Sequence, residues 1–281
     1  MKILISADME GTCGVSSWVH VTPPEYAGSD PSSTAEYERT RKRMTREVNA
    51  AIEGALAGGA TEVIVNDAHN GMRNLVPEEL HEAAQFVAGS DKPLVMMQGV
   101  EEQDVRAAFY TGYHARAGTP DGPLAHTWSL SINDVRVAGV SLGEYGVNAI
   151  VAGHYNVPIA LVTGDNRAVE QTRELLGEQV EGAVVKHGYS VTSAVHVQPD
   201  EACRIIRAAA ERAVRNIDAM QVYRMEEGAT VEIDFDHQTR ASHAAEVTGV
   251  ELVGWRTISY QPADALDFHR YFRAVTRAAQ M

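Results

Sequence analysis

The chain has 281 residues and carries 24 Lys and Arg against 38 Asp and Glu, a formal charge of −14 at pH 7. That acidic balance, with no basic run longer than Arg41, Lys42 and Arg43, excludes nucleic acid as a principal partner, because phosphate binding needs a basic face. Two cysteines, Cys13 and Cys203, support neither a disulfide framework nor a four-thiolate zinc site, which points to a reducing cytoplasm.

In chain order, Lys2 to Ala7 is a short apolar run that breaks off at Asp8-Met9-Glu10-Gly11. It predicts a buried strand ending in a polar loop, and the acidic residues come too early for a signal peptide. Val21 to Ser33, rich in Pro and Ser, reads as a loop, a candidate lid or subunit contact. Ser33 and Glu36 have capping-box spacing, and Tyr37, Met44, Val48, Ile52 and Leu56 follow at helical intervals up to Gly58-Gly59, which predicts a long amphipathic helix. Thr61 to Val65 then reads as a second strand, feeding Asn66-Asp67-Ala68-His69. A strand, a helix of this length and another strand imply a right-handed parallel crossover, and ligands of such sheets collect beyond the carboxyl ends of the strands. Asp8 and His69 are therefore expected on one rim.

Pro93 to Met97 reads as a strand, Glu101 to Ala108 as a short helix, and Phe109 to Tyr113 as a strand ending at His114. Ala125 to Ile132 and Val135 to Val140 look like a hairpin turning at Asn133-Asp134. Glu144 to Tyr155 is helix-like, and Pro158 to Val162 is a strand. The apolar stretch from Val147 to Val162 contains Asn148, His154, Asn156 and Pro158, so it does not read as a membrane span. Beyond it come a helix from Asn166 to Leu176, a short strand near Ala183, a helix from Pro199 to Met220, an alternating strand at Val231, Ile233 and Phe235, and a closing helix from Pro262 to Ala279. The expected fold is α/β: a mainly parallel sheet flanked by helices, with a metal site at the strand C-terminal edge. The expected organisation is a metal-binding catalytic region over 1–186 and a smaller α+β region over 187–281.

Carboxylates and imidazoles presented from successive strand ends suit hard-to-borderline divalent metals. Asp8 and Glu10 stand two apart, so an extended backbone turns both the same way. His69, His114, His126 and Glu144 join them only if the fold brings all together. Asn66 and Asp67 are candidates to orient such ligands or simply to cap the loop. Arg116 is a candidate clamp for a peptide carboxylate or a structural ion pair. Cys13 reads as a small buried residue, and the remaining histidines as ordinary core or surface groups.

Ser6-Ala7-Asp8-Met9-Glu10-Gly11, Val65-Asn66-Asp67-Ala68-His69, Gly112-Tyr113-His114-Ala115-Arg116-Ala117, His126-Thr127-Trp128-Ser129 and Gly143-Glu144-Tyr145-Gly146-Val147-Asn148-Ala149 stand in this order along the chain. Through them the sequence resembles the zinc-dependent D-aminopeptidase family of the dipeptide-transport-operon type, more loosely after residue 166. The resemblance implies two zinc ions per chain, with Asp8 bridging them and Glu10, His69, His114 and Glu144 completing the coordination. It implies His126 as the catalytic residue, acting as general base or as oxyanion stabiliser. It further implies release of N-terminal D-amino acids from short peptides, and a homodecamer whose sites face an inner chamber. Two other readings stand beside it. A non-catalytic peptide- or metal-binding protein of the same fold would not require His126. A haloacid-dehalogenase-like phosphatase would start at Asp8-Met9-Glu10-Gly11-Thr12, but would have Asp in place of Glu10 and would leave the histidines unexplained.

Overall fold

A strand covered on both faces needs an unbroken aliphatic run, and Ile3, Leu4 and Ile5 supply one that is wholly buried. The computed structural model, which describes residues 1–27 and 31–280, places this run at the centre of the molecule. The strands are β1 (Lys2–Ala7), β2 (Glu62–Asp67), β3 (Ala84–Val87), β4 (Val105–Tyr113), β5 (Ile132–Val137), β6 (Val140–Ser141), β7 (Ile159–Asp165), β8 (Glu181–Ser190), β9 (Ser193–His196), β10 (Val231–Phe235), β11 (Glu251–Leu252) and β12 (Thr257–Tyr260). The helices are α1 (Pro24–Ala27), α2 (Pro31–Gly58), α3 (Glu144–His154), α4 (Asn166–Leu176), α5 (Pro199–Arg215), α6 (Gln238–Ala244) and α7 (Ala265–Ala278).

The larger sheet has the order β3-β2-β1-β4-β7-β8-β9, parallel throughout except for the final β8–β9 hairpin. The chain leaves β1 towards β2 and β3, then returns to the other side of β1 as β4. This reversal opens a crevice at the carboxyl ends of β1 and β4, the place where open α/β sheets bind ligands. One face of the sheet packs Ile3, Ile5, Val63 and Val65 with Met44, Val48 and Ile52 of α2 and Ile206 and Ala210 of α5. The other packs Leu4, Ile64, Tyr110 and Val162 with Ala149 of α3 and Val169 of α4.

The smaller sheet, β11-β12-β10-β5-β6, is antiparallel. Its core joins Val135, Ile233 and Phe235 to Val147 and Ile150 of α3 and to Phe268, Phe272 and Val275 of α7. Helix α3 thus lies between the two sheets and contributes to both cores. The expected boundary at 186 falls inside β8, while β5 and β6, from the first part of the chain, complete the second sheet.

Several expected elements differ. The stretch read as a strand from Pro93 is a 3-10 turn at Val95–Met97, because Val95 stands at φ 49°, outside any strand. The helix expected from Glu101 to Ala108 is instead a turn that leads into β4, which begins at Val105. The hairpin turns at Ala138-Gly139 rather than at Asn133-Asp134, which lie within β5. Helix α2 begins at Pro31, so Ser33 is helical rather than a cap. The expected loop from Val21 includes the short helix α1, and its stretch 28–30 lies outside the described residues. Strands β3, β9, β11 and β12 and helix α6 were not expected. Among the described residues no helix is long and apolar enough to cross a membrane.

Candidate metal centre

Asp8 follows β1 directly, His69 lies two residues past β2, His114 follows β4, and Glu144 opens α3. Glycine at two positions lets these ends converge. A Cβ on Gly11 would lie 1.9 Å from the Tyr113 carbonyl oxygen, and one on Gly112 would lie 2.2 Å from that of Asp8. The backbone instead closes with Gly11 N donating to Gly112 O at 2.7 Å and Asp8 N to Thr111 O at 2.8 Å. Asp8 and His114 are thereby fixed next to each other.

The six candidate residues form two adjoining groups, Asp8, Glu10 and His69 in one and His114, His126 and Glu144 in the other, with donor atoms within 4.8 Å of one another inside each group. Asp8 faces both. Its Oδ1 is 3.3 Å from His69 Nδ1, and its Oδ2 is 3.4 Å from His114 Nε2. Glu10 Oε2 lies 2.9 Å from His69 Nδ1, and Glu144 Oε1 lies 3.3 Å from His114 Nε2.

Each imidazole is oriented by a carbonyl on its far side. His69 donates from Nε2 to Val21 O at 2.7 Å, His114 from Nδ1 to Ala115 O at 3.0 Å, and His126 from Nδ1 to Leu124 O at 2.9 Å. A carbonyl can only accept, so the opposite nitrogen of each ring is the one presented to the carboxylates. The rings of His114 and His126 stack at 4.1 Å, and Trp18 meets His126 edge-on at 5.5 Å. Trp128 N donates to Glu144 Oε1 at 2.8 Å.

The electrostatics call for a cation. Asp8, Glu10 and Glu144 are all buried, and among the described residues only histidines pair with them. Burial, with Glu10 alongside, pushes the Asp8 carboxyl up. Burial opposes charge on His69 and His114, yet the carboxylates override it and raise both above the usual imidazole range. His126 goes the other way, lowered by burial and by neighbouring His114. Asp8 Oδ2, Glu10 Oε2 and His114 Nε2 are buried without a hydrogen bond, a costly state that a shared divalent cation relieves. The donor set of carboxylates and imidazoles, with second partners already in place, fits zinc.

Asp8, Glu10, His69, His126 and Glu144 line a cavity of about 810 Å³. Val21, Thr22 and Tyr26, from the segment read as a loop, line it, as do Trp18, Trp128, Met96 and residues of α7. Arg273 and Arg277, which also line it, had no motif to mark them, although Arg273, Thr276, Arg277 and Gln280 follow the spacing of one helical face.

Other candidates have structural partners. Asp67 accepts from Leu75 N at 2.8 Å and Asn74 Nδ2 at 2.8 Å, so it fastens the loop after β2. Asn66 donates to the carbonyls of Val95 and Met96 at 3.0 and 2.7 Å. Arg116 donates to Ala117 O at 3.2 Å and does not line the cavity. Cys13 donates to Val197 O at 2.8 Å, and burial pushes its thiol up to about 12. Lys186, wholly buried, went unmarked as a site residue. It donates to the carbonyls of Glu10, Thr12 and Val15 and so ties β8 to the loop that carries Glu10.

The sequence profile of the D-aminopeptidase family matches residues 1–274. A D-aminopeptidase of Bacillus subtilis (strain 168) is 34% identical over 280 residues, covering 99% of this chain and 98% of the relative. Among solved structures, the chain is similar to the Zn-dependent D-aminopeptidase DppA from Bacillus subtilis, described as a self-compartmentalizing protease. That match has a TM-score of 0.92 and 33% identity, and covers 100% of this chain and 98% of the other.

Proposed function

This chain belongs to the D-aminopeptidase family, and from that premise we propose that it is a zinc-dependent aminopeptidase that releases N-terminal D-amino acids from short peptides in the cytoplasm. Two zinc ions per chain would be held by Asp8 as a bridge, with Glu10 and His69 on one side and His114 and Glu144 on the other. The observation that carries this reading is the placement of Asp8, whose two carboxylate oxygens face histidines of different groups at 3.3 and 3.4 Å.

Bound zinc supplies polarisation of the scissile carbonyl and a water acidified towards neutrality. The chain's own residues do the rest. The carbonyls of Val21 and Ala115 hold His69 and His114 in the tautomers that leave a lone pair on the ligand side. Trp128 N fixes Glu144. His126 keeps 12% of its side chain exposed, more than His69 or His114, and lines the cavity. With Nδ1–H committed to Leu124, its Nε2 is the proton acceptor. It takes a proton from the attacking water and returns it to the leaving amine. Glu144 at 3.6 Å and Glu10 at 4.0 Å stabilise the imidazolium between those events. This supports the base role over that of oxyanion stabiliser, and a purely binding protein would gain nothing from it.

The description of the Bacillus relative as self-compartmentalizing supports assembly of this chain too, and we extend it to a decamer with its sites facing an inner chamber. The reading is tested by hydrolysis of matched D-Ala and L-Ala p-nitroanilides and dipeptides, with zinc counted on the same sample. D-selective release with two zinc ions per chain is expected. L-selective release overturns the stereochemistry alone, and no release at full zinc overturns the activity.

A further inference from the structure

We propose that Arg273 and Arg277 form a subsite for the C-terminal carboxylate of the peptide substrate, which rests on the aminopeptidase reading and sets the length of peptide it favours. The cavity carries both signs of charge: Asp8, Glu10 and Glu144 line it together with two arginines of α7. A short peptide likewise carries both, with an amine at one end and a carboxylate at the other.

The two arginines have charge to spare. Both reach towards one carboxylate, that of Asp91, at 3.8 Å from Arg273 and 3.2 Å from Arg277, and Asp91 is 91% exposed. A single hydrated acid at such distances leaves the pair with net positive charge. Arg273 is the more enclosed, at 20% exposure, and one of its nitrogens donates to Pro93 O at 2.6 Å, which sets the plane of the guanidinium. A planar fork held this way suits a carboxylate.

The position is also fixed relative to the chemistry. Phe272, adjacent to Arg273, meets Trp128 edge-on with centroids 5.0 Å apart, and Trp128 N donates to Glu144 Oε1 at 2.8 Å. The pair therefore stands at a set distance from the metal ligands, so one peptide length bridges the cavity better than its neighbours.

The test uses the zinc-loaded full chain and peptides of graded length, each as the free acid and as the C-terminal amide. At the favoured length the acid is expected to exceed the amide in kcat/KM by on the order of tenfold. In the double variant Arg273→Met with Arg277→Met that ratio falls towards one through KM, whereas Arg273→Lys with Arg277→Lys retains part of it. An acid-to-amide ratio near one in the wild type at every length overturns the subsite, as does a ratio unchanged in the double methionine variant. Should neither acids nor amides be hydrolysed, the aminopeptidase reading fails separately. Calorimetric binding of the same acid and amide pairs to wild type and double variant then decides the subsite alone.

Discussion

Asp8 and His126 line one cavity, yet the proposed roles give them opposite dependence on metal. Asp8 addresses both histidine groups, so Asp8→Ala removes a ligand from each and is expected to bring zinc below one per chain and abolish hydrolysis. His126 leaves His114, Glu144 and Asp8 as a complete donor set without it. His126→Ala is therefore expected to keep both zinc ions and lose about a hundred- to ten-thousand-fold in kcat. Elemental analysis beside kinetics checks both. Two zinc ions retained in Asp8→Ala would sink the bridging role, and a zinc-poor His126→Ala would make that residue a ligand of the His114 group. At this scale Asp8, His69 and His114 were legible as candidates because each comes just after an apolar strand, whereas Glu144, at the start of a helix, and His126 were tied to them only by the family resemblance. Arg273, Arg277 and Lys186 were not, because a cation on a distant helix or strand acquires meaning only from what the fold sets opposite it.

At the level of elements the central strands β1, β2, β4 and β7 were equally legible, since aliphatic runs ending in polar residues are a direct demand of a sheet buried on both faces; the edge strands β3, β9 and β11 lack such runs. Turns were harder. Asn133-Asp134 has turn chemistry but sits in β5, and the hairpin instead bends at Ala138 and Gly139, at φ 50° and 80°. An alanine at positive φ gives no signal that sequence could reveal. Asn70, Met72, Val95, Leu124 and Trp128 are likewise at positive φ and flank His69, His126 and the cavity, so backbone strain gathers around the site. One helix contact has a pH signature. Glu47 of α2 accepts from Cys13 N at 2.8 Å, its other oxygen is buried without a partner, and burial raises its carboxyl from 4.5 to about 7. The native state holds that proton more tightly than the unfolded chain. Its stabilising effect is thus full below pH 4.5 and lost as pH rises through 7, a change of about 3 kcal/mol. Glu47→Gln stays neutral at every pH, so urea unfolding should show the variant gaining on wild type by about that amount across this window. Parallel pH curves for the two proteins would show that Glu47 does not titrate in this way.

The whole molecule divides its labour between two sheets. The parallel sheet carries the candidate ligands near its reversal point, and α7 and Trp128, which pack with the antiparallel sheet, line the same cavity. What this arrangement leaves uncovered bears on the proposed assembly. Leu252 and Val253 are 50% and 53% exposed and Trp255 is 88% exposed, all at or just beyond the edge strand β11. An edge strand with neighbouring apolar side chains in water is a liability unless another surface covers it. A stable interface takes about 800 Å² per partner, so these residues would form the centre of a larger contact rather than the whole of one. If the chain assembles as proposed, light scattering should give ten times the chain mass of 30.5 kDa. Trp255→Asp puts a charge where the partner must dry the surface. It should shift the mass towards that of the single chain while circular dichroism stays unchanged, because Trp255 adds almost nothing to the monomer's own core. A native mass near 30.5 kDa would rule out the decamer. A full-size assembly of Trp255→Asp would keep the decamer and move its contacts elsewhere, to the exposed Tyr189 and Val195 of the β8–β9 hairpin.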